Sequence, residues 1–313
     1  MRVRRTFAFL VFGFCLIFAV IKSGSTDVGG GDWTIRKSNE AGQVDFSLIE
    51  HHHGGDSSHE SEWPASSFPG VDFSKSGRQD VRFTISRDAG KIECAGFLNN
   101  GEGAGFFHFQ PDANYAREMD ALGFPVDAEK QYSMALQDVS LEFARQMKNE
   151  HLTDLDSDKL IAFRIFRVDA AFIEELRSAG LNISDSDKLV AFRIHGVTPQ
   201  MVRWLHQAGY SPDQDMLVAM RIHGVSPEWM EELNRRGYDH VQLEQLIAFR
   251  IHDVSAEFIE KLQALGYPHP DPDQLVTMRI HNVTPEYISD LRSRGMQNLS
   301  VDQLVSMRIH GID

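Results

Sequence analysis

The chain has 313 residues, 42% of them apolar and 24% charged, with a formal net charge of −14. Those proportions belong to a globular protein, with length for two ordinary domains or one long repeat array. The acidic balance excludes the basic patches that nucleic acids and anionic lipid surfaces require, and it suits solubility and basic partners.

Residues 1–25 read as an export signal. Arg2, Arg4 and Arg5 precede an apolar run of 15 residues from Phe7 to Ile21, and Ser23-Gly24-Ser25 follow. A membrane span takes about 20 residues, so two outcomes stay open: a cleaved signal peptide, or a retained anchor in the inner membrane over residues 7–21. Either way the chain is predicted to be exported, periplasmic or otherwise extracytoplasmic. Removing this segment, which has four basic residues and no acid, takes the net charge to −18. Phe14 is too large for the position before a lipidated cysteine at Cys15. Cys94 is the only cysteine outside the signal. No intrachain disulfide is then possible in the mature chain, and Cys94 reads as a buried structural thiol.

Residues 31–111 carry a period of two. Trp33 and Ile35, then Val44, Phe46 and Leu48, then Val81, Phe83 and Ile85, then Ile92 and Cys94, then Phe107 and Phe109 alternate with polar residues. Asp88-Ala89-Gly90 and Asn99-Asn100-Gly101 supply turns. The pattern predicts a small antiparallel sheet of about five strands, its apolar face against the first helices that follow. His51, His52, His53, Asp56 and His59 could take up a transition metal. Adjacent histidines point to opposite faces of a strand, however, and a polar loop with no metal is the preferred reading.

From 112 to 313 two half-units alternate. Asp112, Ser140, Asp169, Thr198, Ser226, Ser255 and Thr284 stand 28 or 29 residues apart, each in front of an amphipathic segment. Pro199, Pro227 and Pro285 occupy the next position, and Gly180, Gly209, Gly237, Gly266 and Gly295 close five of the segments, as proline and glycine do at helix starts and ends. The second half-unit ends on Arg-Ile-His five times, with a variant at Arg164-Ile165-Phe166. Its apolar residues surround most of the helix, which predicts an inner helix buried all round. Hairpins this short must stack to bury their faces. The expectation is therefore α+β: a small β domain at 31–111 followed by an α-solenoid of about seven helical-hairpin repeats at 112–313.

Arg164, Arg193, Arg221, Arg250, Arg279 and Arg308 recur on that second helix. A buried, unpaired guanidinium is costly, so each is expected to reach a carboxylate or helix-end carbonyls of a neighbouring unit. Asp158, Asp187, Asp215, Glu244, Asp273 and Asp302, six residues earlier in each unit, form a matching ladder of acids. The competing reading is a groove for an anionic ligand. His195, His223, His252, His281 and His310 are expected to cap the last helix carbonyls. The array stops after a second helix with no polar cap, so Leu304, Val305, Met307 and Ile309 are an expected interaction edge, where the chain dimerises or docks a partner.

No His-Glu-x-x-His, phosphate-binding glycine loop or Gly-x-Ser-x-Gly elbow occurs, and neither catalysis nor a cofactor is expected. Asn182, Asn282 and Asn298 match glycosylation acceptors, which count only in a eukaryotic host.

The segment Leu-Val-Ala-Phe-Arg-Ile-His-Gly-Val-Thr-Pro at 189–199 resembles the extracytoplasmic repeats attached to BlaR-type membrane metallopeptidases of bacteria. Arg87-Asp88-Ala89-Gly90, with Gly96 and Gly103-Ala104-Gly105-Phe106, resembles the short β domain that precedes such repeats. The resemblance spans about residues 31–313, and the zinc motif and multiple membrane spans of those peptidases are missing from the sequence. It implies an exported bacterial module and transfers no catalytic residue. The expected function is a non-catalytic scaffold or sensor that binds a protein or peptide; the alternative is a regulatory accessory of a BlaR-type membrane peptidase signalling system.

Overall fold

The computed structural model describes residues 29–52 and 55–312. The predicted signal or anchor lies outside them, as does His53 of the histidine cluster. Six strands, β1 (Gly30–Lys37), β2 (Gln43–His52), β3 (Gly55–Pro64), β4 (Arg78–Arg87), β5 (Gly90–Asn99) and β6 (Glu102–Pro111), form one antiparallel sheet in the order β3-β2-β1-β6-β5-β4. The alternating apolar residues account for five of them. β3 is the addition: Trp63 is its one large apolar residue, so no hydrophobic period marks it. It pairs along its length with β2, Val44 facing Trp63 and His51 facing Asp56. The expected loop at 51–59 is thereby corrected, since 51–52 and 55–59 are strand residues.

The sheet does more with its apolar face than lay it on a helix. β2 and β4 are four strand spacings apart, about 19 Å in a flat sheet, yet the rings of Phe46 and Phe83 are 6.1 Å apart. The sheet is curled tightly around its own core. Phe68, from the segment between β3 and β4, fills the trough, 5.2 Å from Phe46 and 5.3 Å from Phe83. The bend depends on missing side chains. Gly96 faces Gly105 across β5 and β6, and Trp33 lies over both, its indole N–H donating to Ala95 O at 3.3 Å. Cys94 is buried on the same face, and burial pushes its thiol up to about 12, as befits a structural cysteine.

Among the described residues fourteen helices of eight to ten residues follow: α1 (Ala113–Ala121), α2 (Ala128–Leu136), α3 (Leu141–Asn149), α4 (Ser157–Phe166), α5 (Ala170–Ser178), α6 (Ser186–His195) and α7 (Pro199–Gln207). The series continues with α8 (Gln214–Ile222), α9 (Pro227–Asn234), α10 (Leu243–Ile251), α11 (Ala256–Ala264), α12 (Pro272–Ile280), α13 (Pro285–Ser293) and α14 (Val301–Ile309). The seven residues predicted to start the units are the N-caps of the odd-numbered helices, each accepting backbone N–H groups of the first turn. Odd helices pack on odd and even on even: α5 on α7 and α11 on α13, with the even series continuous from α2 to α14. The result is a two-layered α-solenoid joined to the curled sheet.

The joint uses the turn at Arg87-Asp88-Ala89. Asp88 accepts the N–H of Leu141 at 2.9 Å, and Ala89 O accepts the buried amide of Gln131 at 2.6 Å. Tyr132, beside that glutamine, stacks on Phe107 at 6.1 Å. The expected packing of the sheet on the first helices is thus met chiefly by α2, which lies on β5 and β6, with α3 tied through Asp88.

A side chain at Gly96 has no room: its Cβ would lie 2.3 Å from Ala104 O and 2.6 Å from the Trp33 ring. Gly96→Val is expected to lower stability by about 3 kcal/mol or more through overpacking, read from the urea midpoint. A midpoint equal to the parent's would mean the curl does not depend on that contact.

Candidate functional site

The repeated residues of the even helices divide into four rows along the solenoid. The arginine row faces the neighbouring unit. Arg164 Nε donates to Gln137 O at 3.0 Å; Arg221, Arg250, Arg279 and Arg308 donate in the same way to His195, His223, His252 and Asn282 O, each at 3.1 Å. Each acceptor lies at the helix end of the preceding unit. The guanidinium also lies over an aromatic ring of its own unit: Arg164 on Phe143, Arg193 on Phe172, Arg250 on Trp229, Arg279 on Phe258 and Arg308 on Tyr287, at 3.7 to 5.3 Å. Met201 takes the ring's position in the unit of Arg221. Arg193 is the exception to the carbonyl bond. Burial holds its pKa below the usual arginine value, against opposing pulls from Asp169 and Glu175, and nearby Arg167 adds to the lowering.

Two expectations are corrected here. The even helices are not buried all round: Leu189 and Phe192 are fully buried, whereas Arg193 and Ile194 are exposed. Nor do the acids serve the arginines. Lys130 meets Asp158 at 2.9 Å, Lys159 meets Asp187, Lys188 meets Asp215, and Gln245 donates to Asp273 at 3.0 Å. The carboxylates that do pair with arginines stand just past the helix end, Asp138 with Arg164 at 3.1 Å and Asp253 with Arg279. With these partners the arginines tie units together, and the reading of them as a row free for an anion loses its basis.

The histidines act through their backbones. His195, His223 and His252 supply the carbonyls that the arginines bind. Only His310 places a ring nitrogen on a helix carbonyl, 2.7 Å from Ser306 O. The rings of His195, His223, His252 and His281 are half-buried and make no hydrogen bond among the described residues. The expected edge is also modified: Leu304 and Val305 are buried, Met307 is half-buried, and only Ile309 is exposed.

The fourth row was not legible as a site in the repeats. Ile165, Ile194, Ile222, Ile251, Ile280 and Ile309 are 46–58% exposed, one in every unit from α4 to α14. They sit on the helix side away from the buried Leu and Phe or Met, with Ala162, Ala191, Ala219 and Ala248 one turn earlier. Most large exposed apolar side chains of the described residues belong to this one line. A second inter-unit ladder also escaped notice. Tyr210, Tyr238 and Tyr267 each follow a helix-ending glycine and donate to carbonyls of the next unit, Val241, Pro270 and Leu299, at 3.1, 2.7 and 2.7 Å.

On the sheet, His51 lies between two carboxylates, Nε2 at 2.9 Å from Asp32 and Nδ1 at 2.9 Å from Asp56. Both ring nitrogens are engaged in ion pairs, and no metal-binding group of three or more His, Cys, Asp or Glu occurs among the described residues. His59 is on the core face of β3, where burial lowers its pKa.

Comparisons with protein-family models, with curated proteins and with solved structures find no match to this chain.

The arginine contacts set an order of stability effects. Arg279→Ala removes a charged hydrogen bond, a ring contact and an ion pair, and is expected to cost about 2 kcal/mol. Arg221→Ala, with no ring beneath it, is expected to cost about 1 kcal/mol. Chemical denaturation of the two variants checks the order, and the reverse order would sink this account. His51 titrates above its ordinary value because of its hydrogen bonds to Asp32 and then Asp56. The tie it makes is therefore complete below pH 6.5 and is lost as pH rises through the folded-state value. NMR titration of its ring protons is expected to show an inflection above 6.5 that falls back in Asp32→Asn. An inflection at or below 6.5 in the parent chain would overturn the assignment.

Proposed function

We propose that this protein is a non-catalytic, exported repeat scaffold that docks a protein or peptide on the open face of its even-numbered helices. The observation that carries the reading is the isoleucine row. Six units keep a large apolar side chain at one register position where it is about half exposed and completes no core. The position after each acid of the same helices is partly accessible as well, yet it changes from Lys159 and Lys188 to Met216, Gln245, Gln274 and Gln303. Aligned apolar groups on a stiff solenoid form the kind of extended surface that repeat proteins use for binding. The arginine, tyrosine and lysine ladders stabilise the stack, which leaves the isoleucines free for a partner. Placement outside the cytoplasm rests on the charge and hydropathy of residues 1–25. The accessory role beside a BlaR-type membrane peptidase rests on the repeat resemblance alone.

The test is comparative crosslinking of the tagged mature chain in envelope extracts of its host, beside the variant Ile194→Ser/Ile222→Ser/Ile251→Ser. A defined partner recovered by the parent and lost by the variant is the expected result. Identical recoveries would count decisively against the isoleucine face, and a membrane peptidase among the lost proteins selects the accessory role.

A further inference from the structure

The spacing and charge of this face also specify the form of its occupant, on the reading above that the face is a docking surface. Neighbouring even helices approach with Cα atoms within 8 Å, so successive isoleucines stand one helix-packing distance apart, about 8–10 Å. A ligand that uses every isoleucine must present an apolar side chain on one line at that interval. A β-strand laid on helices finds no free backbone partners, because the helices bond their own N–H and C=O groups internally. A helical ligand returns to the same line only every seven residues, about 10.5 Å, and its intervening turn falls between the isoleucines. A polyproline II segment fits both conditions. Its backbone is solvated, and three residues at a rise of about 3.1 Å give an interval of about 9.3 Å.

Charge supplies the second half of the argument. Asp158, Asp187, Asp215, Glu244, Asp273 and Asp302 stand seven residues before the isoleucines in each helix, two turns along the same side and about 10 Å away. Lys130, Lys159 and Lys188 neutralise the first three. Beyond them the lysine position holds Met216, Gln245, Gln274 and Gln303, so the acids of α10, α12 and α14 face no lysine there. An open groove lies in that stretch, lined by Gln245, Asp271, Asp273, Thr277 and Asp302 among others. We infer that the even-helix face binds an extended, basic polypeptide in the polyproline II conformation, with an apolar residue at every third position on the isoleucines and Lys or Arg toward the acid row.

The probe is a labelled synthetic peptide of six Leu-Pro-Lys repeats, about six turns of polyproline II, titrated into the full chain by fluorescence anisotropy. Binding in the micromolar range is expected, weakening with added salt. A peptide of the same composition with its leucines out of the three-residue period is expected to bind about tenfold more weakly, a difference of about 1.4 kcal/mol. The triple isoleucine variant should show a similar loss. Glu244→Gln/Asp273→Asn/Asp302→Asn changes only surface acids and should weaken binding at low salt while leaving the circular dichroism spectrum unchanged. If the isoleucine variant fails to fold, this second variant and photo-crosslinking of the peptide to the parent chain decide the matter, with adducts expected on α4 to α14. Equal binding of the out-of-period peptide, preference for a helical peptide with one leucine per heptad, or no binding at millimolar concentration overturns the inference. A host partner lost by the isoleucine variant alongside a silent peptide would leave the docking face standing and remove only the polyproline II form.

Discussion

The carbonyl groups at helix C-termini are the constraint on which this solenoid depends. A helix of nine residues is marginal alone in water, and its last carbonyls have no partner within the helix. Both layers meet the need in one way: a long polar side chain of the next unit reaches back to the preceding helix end. In the odd layer Lys148 binds Leu122 O at 2.7 Å, Arg177 binds Glu150 O at 3.0 Å, and His206 Nδ1 lies 3.0 Å from Ala179 O. Gln263 and Arg292 continue the series on Arg236 and Leu265. In the even layer arginine does the same. Most of these donors are cations at the negative end of a helix dipole, so hydrogen bond and field act together. Each unit is completed by its successor, which makes stability a property of neighbouring pairs.

The residue just past each even helix grades those pairs. It is left-handed in unit after unit: Asp138, Arg167, Gly196, Gly224, Asp253 and Asn282 all have φ between 54° and 70°. Where it is aspartate it adds an ion pair to the incoming arginine. Where it is glycine the guanidinium nestles against the backbone; a Cβ at Gly196 or Gly224 would stand 3.0 or 2.8 Å from Arg221 or Arg250. Where it is Arg167 the incoming Arg193 meets like charge and forms no carbonyl bond, so the α4–α6 step lacks this tie. Asp138 extends the same device to the β domain. Arg87 Nε lies 3.3 Å from its carboxylate, an ion pair too bent for a hydrogen bond, while Arg164 holds the other oxygen.

The architecture was legible because its determinants are local. Capping residues at a fixed interval, prolines behind them and glycines at the far ends mark seven hairpins, and strict alternation marks five strands. β3 was hidden because its partners, not its composition, make it a strand. The curl of the sheet was hidden because it rests on what Gly96 and Gly105 lack. The isoleucine row was misread for a different reason. Apolar residues on the second helix are numerous, but direction matters more than number. At about 100° per residue, Ile194 stands about 200° from Phe192, on the far side of the helix from the core. Angle, not count, separated the packing residues from the exposed row. The acids deceived in the opposite sense: their register matched the arginines, yet Lys130, Lys159 and Lys188 were closer.

The Arg-Ile-His triplet therefore holds three adjacent residues with three directions. Arginine points back along the stack and joins units; the histidine backbone offers the carbonyl that the next arginine takes; isoleucine points away from both. The separation follows from the helix itself, since neighbours along it diverge by about 100°. It also couples the stack to its outer face. The bonds that fix one unit on the next fix the interval between isoleucines, so the period of any ligand on that face is set by the packing of the helices beneath it. The joint at Arg167 and Arg193, between Ile165 and Ile194, lacks the arginine bond and is held instead by Lys159 on Asp187 and by the bonds of Ser186 and Ser184 to Thr153.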